Sequence, residues 1–368
     1  MTDPIAEVQA LTTRLELPRP ITLGTMRITH RAYAVATVRT ESGLEGKAFA
    51  LSRDAPVAAV VSQQLAPVLV GRDSDLIAAR ADECFRATVA SGRVGVVMRA
   101  LSLVDIALWD VKAQSAGLPL WRLLGGNAGE VPTMMVAGYP TGEPPEELAA
   151  KVGEYGRRGW RLLKLARMAD SEAMRRLLAA SLDALPAGCE LVVDAAWVWR
   201  RPADVLRELA AWGDVPLAWL EDPLPTEDVP AYARLRAAAR VPLGAGDEVT
   251  DPHLLRAHLA AGTLDVVRLD ATTIGGVSGA LRVLGAAADA AVPVSCHVYP
   301  ELHVHLAAFA ASGTSIETFD REDNPFDPAE RLYRGGPEFR PGVASAPEAP
   351  GLGIELDREL IERYRLPA

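Results

Sequence analysis

The intervals between six polar residues constrain this chain more than any other feature in it. Asp194, Glu221, Asp247, Asp270, His297 and Glu317 follow one another at 27, 26, 23, 27 and 20 residues. Each closes a short apolar run: LVVDA, LAWLED, PLGAGD, VVRLD, VPVSCH and SIE. An interval of that size holds one strand, one helix and two turns. The chain therefore reads as strands alternating with helices, the pattern of a parallel α/β barrel. Barrels of this kind carry their chemistry at the C-terminal ends of several strands. Residues far apart in sequence are expected to meet at one mouth.

The rest of the chain divides around that pattern. Residues 18–51 alternate and turn, with ESGLEG between two β-rich runs, and predict a small antiparallel sheet of two or three strands. Residues 56–117 show helical periodicity, and LLGGN at 123–127 marks a junction. Barrel strands are expected at 131–137, 161–166, 190–194, 217–221, 242–246, 266–270, 293–297 and 315–318. Helices are expected at 146–158, 171–184, 203–212, 229–239, 252–261, 277–290 and 302–311. Prolines after Arg201 and Asp251 suit first helical turns. The division is an α+β module over 1–125, a barrel over 126–330, and a Gly/Pro-rich segment over 331–368 that returns to the first module.

At 368 residues the chain exceeds the roughly 250 of a bare barrel, which leaves room for that module. The net charge of −10, with no basic patch, disfavours nucleic acid and anionic membranes. No apolar run is long enough to span a bilayer, and the N-terminus lacks the basic start and apolar core of a secretory signal. Cys84, Cys189 and Cys296 have neither disulfide nor metal spacing, so a reducing, cytoplasmic compartment is expected. Cys296 reads as a small buried hydrophobe.

Asp194, Glu221 and Asp247 end consecutive strands. Three converging carboxylates repel one another unless a cation lies among them, and a hard oxygen donor set favours Mg²⁺. Glu248 is the alternative third ligand, although strand alternation admits one of the pair and the spacing favours Asp247. Singly, such acids are as often helix N-caps. Asp270 and His297 end the next two strands. A carboxylate on one imidazole nitrogen fixes the tautomer and raises the basicity of the other, which makes His297 a candidate general acid or base. His30, His253, His258, His303 and His305 read as structural side chains. Glu317 either hydrogen-bonds a substrate oxygen or is a surface acid. Lys164, one of four lysines, either holds a substrate carboxylate or is an exposed strand-end residue.

The segments VVDAAW, WLEDPLP, GAGDEVTDP, VVRLDATTIGGVSGA, VSCHVYPELHVHLAA and SIETFD resemble the enolase superfamily, specifically its mandelate racemase subgroup. The resemblance covers nearly the whole chain. It implies a modified TIM barrel, (β/α)₇β, with an N-terminal α+β capping domain. It also implies Mg²⁺ on Asp194, Glu221 and Asp247, an Asp270–His297 dyad, and Glu317 contacting the substrate or enediolate oxygen. Lys164 resembles the first lysine of the family's K-x-K motif. A homo-oligomer and a small-molecule carboxylate substrate, a sugar acid or other α-hydroxy acid, are implied as well.

Two departures bear on the reaction. Ala166 stands at the second K-x-K lysine and is followed by Arg167, which stays protonated and cannot serve as a base. One face of the substrate carbon then lacks its base. That disfavours racemisation and epimerisation and leaves elimination of water by one histidine, the chemistry of acid-sugar dehydratases. Ala196 stands where the family offers an asparagine, and Trp197 and Trp199 after it either wall the pocket or pack on a helix. A racemase and a non-catalytic member are the alternatives. Substrate specificity is expected from cap loops around 19–29 and 50–56, with Arg53 expected as an exposed loop residue.

Overall fold

Alternating side chains in the first fifty residues build one antiparallel sheet of β1 (Ile5–Leu23), β2 (Met26–Thr40) and β3 (Glu45–Leu51), paired in that order. The computed structural model describes residues 2–23, 25–127, 130–139, 142–310, 313–322 and 324–367. β1 starts well before the expected sheet. Its period of two is broken by register shifts between Ile5 and Glu7 and between Glu16 and Ile21, which hides it in the sequence. The long helix Val96–Ser115 lies against β2 and β3, and buries thirteen side chains.

Eight parallel strands follow: β4 (Glu130–Gly138), β5 (Leu162–Ala166), β6 (Glu190–Asp194), β7 (Leu217–Glu221), β8 (Leu243–Ala245), β9 (Val266–Leu269), β10 (Val294–Cys296) and β11 (Thr314–Thr318). β11 pairs with β4, which closes the barrel. Each lies within two residues of its expected position. Seven helices separate them, at Pro145–Arg157, Ser171–Ala184, Pro202–Trp212, Val229–Ala238, Pro252–Ala261, Gly276–Asp289 and Pro300–Phe309. The expected end of the last helix at 311 lies outside the described residues. Asp170, Asp228 and Asp251 cap three of these helices with their side chains. The acids at the strand ends are thereby left for other work.

The cap docks on the barrel through the segment that reads TIGGVSGA. Gly275 N–H donates to Ser102 Oγ at 2.8 Å, Ser278 N–H donates to Asp105 Oδ1 at 2.9 Å, and Trp109 Nε1 donates to Ser278 Oγ at 2.9 Å. Gly276 has φ +71°, and a Cβ there would fall 2.3 Å from Asp105 Oδ1, so no side chain fits this approach. The C-terminal segment contacts the first sheet and its helix, with Leu366 N–H on Thr12 O at 2.8 Å and Leu352 N–H on Asp110 Oδ1 at 2.8 Å. It also pairs with the barrel, because the short strand Val343–Ser345 runs antiparallel to the start of β4. No helix among the described residues is long and apolar enough to cross a membrane.

Candidate active site

Strand register alone aligns the first two acids. Ala166, Asp194 and Glu221 sit opposite one another across β5, β6 and β7. Asp247 arrives one turn beyond β8 on a backbone that only glycine allows. Gly246 has φ +133°, and a Cβ there would lie 2.3 Å from the Arg268 carbonyl. Carboxylate oxygens of Asp194, Glu221 and Asp247 come within 4.8 Å of one another, all three residues buried. Glu248 faces the other way, into an ion pair with Arg53 and Arg99. That pairing answers the choice between neighbours, since only Asp247 reaches the cluster.

Two cations thread the acids. Lys164 Nζ lies 3.1 Å from Asp194 Oδ2, 3.7 Å from Asp247 Oδ2 and 3.3 Å from Glu317 Oε1, and bonds Glu221 more closely still. Lys164 is buried, not an exposed strand-end lysine. Arg268 is wholly buried. Its Nε is 2.9 Å from both Glu221 Oε2 and Asp247 Oδ1, and its Nη2 pairs with Glu317. Sequence reasoning passed over Arg268. It lies two residues before Asp270, and strand alternation puts both on the inner face.

The charges do not cancel. The acids these two cations touch, Asp194, Glu221, Asp247 and Glu317, outnumber them by four to two. Burial, with the neighbouring acids, pushes the Asp194 and Glu221 carboxyls above their ordinary range even though the two cations oppose it. Glu317 Oε1 is buried without a hydrogen-bond partner; Lys164 is near it but outside bonding geometry. An all-oxygen site in which acids outnumber cations fits a divalent hard cation. Lys164 is itself no base. Burial alone would lower its pKa, but the surrounding carboxylates more than offset that and raise it well above the ordinary value.

Asp270 and His297 meet at the barrel mouth. His297 Nδ1 donates to Asp270 Oδ2 at 3.0 Å, and Asp270 Oδ1 accepts from Thr272 N–H and Oγ1, both at 2.7 Å. Nε2 is left toward the cluster, 3.7 Å from Asp247 Oδ2. Burial lowers the imidazole pKa, yet Asp247, the bond to Asp270 and Glu317 outweigh it and raise the pKa to about 9. The two neighbouring histidines are structural. His303 Nδ1 donates to Val298 O at 2.6 Å and Nε2 accepts from Ala271 N–H at 3.0 Å. His305 accepts from Trp121 N–H at 3.2 Å and donates to Leu352 O at 3.1 Å. Cys296 is buried and its thiol pushed up to about 12 by burial, hence unreactive.

Asp194, Asp247 and His297 open on a cavity of about 470 Å³ roofed by the cap through Leu23, Met26, Arg31 and Leu51. Arg53 lies in an exposed turn, as expected, and it also lines this cavity, where it pairs with Glu248. The two tryptophans divide between the readings. Trp197 walls the cavity, while Trp199 packs at a tilt against Trp212, ring centres 6.2 Å apart. Arg167 lies over the Trp199 ring and pairs with Glu208 at 3.2 Å, so it does not take the missing lysine's place. Tyr139, past the end of β4, also lines the cavity unforeseen. Burial raises its pKa, so its hydroxyl is a donor and not a base.

A capped barrel with a buried acid triad, a cation-poor charge balance and an oriented imidazole defines a metal-assisted enzyme acting on small carboxylates. Residues 5–125 match the family described as mandelate racemase / muconate lactonizing enzyme, N-terminal domain, and residues 147–360 match the one described as enolase C-terminal domain-like. The chain belongs to the enolase superfamily, in its mandelate racemase / muconate lactonizing branch. It is 30% identical to L-talarate/galactarate dehydratase of Salmonella typhimurium, over 90% of this chain and 82% of that one. It is 29% identical to D-gluconate dehydratase of Thermoproteus tenax, over 87% and 67%. Among solved structures, L-talarate dehydratase from Polaromonas sp., complexed with Mg and L-glucarate, superposes with a TM-score of 0.88 at 28% identity, covering 99% of this chain and 98% of that one.

Proposed function

We propose that this protein is a Mg²⁺-dependent hydro-lyase that removes water from a sugar acid to give a 2-keto-3-deoxy acid. Relatives that dehydrate galactarate, gluconate and mannonate support this reading. The single observation that carries it is the Asp270–His297 pair facing an acid triad across one cavity, with no second base in place of Ala166. Asp194, Glu221 and Asp247 would hold Mg²⁺, which would supply positive charge to the substrate carboxylate. Lys164 contacts the same carboxylate and completes that neutralisation, and Glu317 holds Lys164 and Arg268 in place. His297 Nε2 takes the α-proton while Asp270 holds Nδ1–H. The charge that develops on the carboxylate then expels the β-hydroxyl, to which His297 returns its proton. One C–H and one C–O bond break, water leaves, and the enol becomes a keto acid. Arg268 positions Glu221, Asp247 and Glu317.

Residues 1–125 form the cap, 126–330 the barrel and 331–368 the return segment in this reading. The protein works in the cytoplasm as a homo-oligomer. The test is incubation with Mg²⁺ and a panel of aldonic and aldaric acids, with keto acid detected colorimetrically. Keto-acid release is expected from at least one. Exchange of the α-proton with deuterium without any keto acid would move the protein to the epimerases.

A further inference from the structure

The relatives divide between diacids, such as galactarate, and monoacids, such as gluconate, and so leave the far end of the substrate open. Arg31 bears on it. It lies on β2 of the cap, 5% exposed, and its side chain lines the roof of the catalytic cavity. Its Nε donates to the Phe326 carbonyl at 3.1 Å, which fixes the plane of the guanidinium. Among the described residues no carboxylate lies within 4.0 Å of it. Asp327, the acid on the same wall, bonds the Tyr33 hydroxyl and accepts from Ala329 N–H at 3.0 Å instead. Among the described residues the other buried cations at this site have their acids, since Lys164 and Arg268 are paired with the cluster; of the exposed arginines on the cavity, Arg53 pairs with Glu248 and Arg200 lies out in solvent.

A guanidinium stays protonated at any working pH, and burying it without a counter-charge is costly. Its fork matches a carboxylate in two-point contact. We infer that Arg31 binds the distal carboxylate of the substrate, and that the preferred substrates are aldaric acids, carrying a carboxylate at each end, over aldonic acids. One end of the molecule meets the acid-and-metal floor, and the other meets the cap. Among the described residues Arg31 is the one buried cation on this cavity without an acid, and one such charge suits a carboxylate better than a terminal phosphate dianion. This inference rests on the dehydratase reading for its orientation and extends it to the substrate class.

The experiment compares an aldaric acid with the aldonic acid of the same configuration, each with Mg²⁺, on the wild type, Arg31→Met and Arg31→Lys. The readout is the ratio of kcat/KM for diacid over monoacid. The wild type should favour the diacid at least tenfold, and Arg31→Met should shrink that ratio by about 10- to 100-fold, the range for one charge-assisted contact. Arg31→Lys should keep part of the preference. A purely structural role for Arg31 lowers both substrates together and leaves the ratio where it was. That result, a wild-type preference for the monoacid, or a better rate on the terminal phosphate ester of the monoacid, would overturn the inference. Failure to turn over any acid counts against the dehydratase reading alone. Calorimetric binding of the same pair to the Mg²⁺-loaded protein then decides the role of Arg31.

Discussion

Asp247 and Glu248 are adjacent in the chain and serve two ionic clusters of opposite character, one buried and one partly exposed. Asp247 turns down into the barrel mouth, where four carboxylates face two cations. Glu248 turns up into the seam beneath the cap, where one carboxylate faces Arg53 and Arg99. The mouth carries surplus negative charge and the seam surplus positive charge. Burial opposes both, but the seam relieves itself, because its two arginines more than offset burial and hold the Glu248 carboxyl far below its ordinary range. The mouth cannot do so with its own residues. A site that must accept a divalent cation and an acid is stable only with its surplus unmet, whereas a seam that joins two domains is best closed.

The largest test of that contrast is the residue that reads the mouth. His297→Asn keeps a side chain of similar reach but removes the proton carrier. We expect kcat to fall by at least about 10³-fold, within the range of positioned acid–base catalysis, while Mg²⁺ binding measured by calorimetry stays within a few-fold. Retention of a tenth of the wild-type rate would remove His297 from the mechanism.

Arg268→Met tests the cluster as a balance of charge. It strips the guanidinium from Glu221, Asp247 and Glu317 and leaves buried carboxylates uncompensated. Breaking one side of a buried ion pair typically costs about 3–5 kcal/mol. Urea unfolding without metal should show a loss of that order, and added Mg²⁺ should raise Tm more in the variant than in the wild type. A loss under about 1 kcal/mol, with no extra response to Mg²⁺, would mean that Arg268 does not stabilise the acids.

How much of this was legible is best seen from the acids. Strand-end position and regular spacing separated Asp194, Glu221 and Asp247 from the helix-capping Asp170, Asp228 and Asp251, although both sets lie at strand–helix junctions. The period of the barrel did that sorting. Arg268 had a local signal, two residues from Asp270 on an inward face, but an arginine inside VVRLD looks like an interruption of an apolar strand. Arg31 and Arg53 had none. Their roles depend on how the cap lies over the barrel, and no local pattern encodes that docking. Lys164 read as one cation on one substrate, yet it is gripped by four acids from four strands. A sequence shows each strand end separately and hides their sum.

His305 shows the seam held by neutral contacts as well as by charge. It is buried between Trp121 and Leu352 and must stay uncharged to accept from one and donate to the other. Burial lowers its pKa from 6.5 to about 4, with only the Leu352 bond opposing. The unfolded chain therefore binds a proton that the folded chain refuses between those values. Stability is full above about pH 6.5 and falls as pH drops toward 4, by about 3 kcal/mol in all for this residue. His305→Gln should lower stability at pH 7.5, where it loses ring contacts, but flatten the slope of ΔG against pH between 4 and 6.5. An unchanged slope in urea titrations across that range would show that the acid sensitivity arises elsewhere.

The smallest expected effect separates the two neighbours directly. Asp247→Asn removes a carboxylate from the triad and should weaken Mg²⁺ binding by more than the 10- to 100-fold that outer-shell changes cause. Glu248→Gln loosens the seam and changes the cavity wall but leaves the triad its three carboxylates. The Glu248 side chain is 20% exposed and its partners Arg53 and Arg99 are 33% and 13% exposed, so solvent screens part of the loss. Mg²⁺ affinity should change less than about threefold, stability should fall by about 1 kcal/mol, and KM should rise because Arg53 is no longer held in the cavity wall. Equal losses of Mg²⁺ affinity in the two variants would merge what the structure keeps apart. The clusters would then be one electrostatic unit, and the turn at Gly246 would not divide metal binding from cap docking.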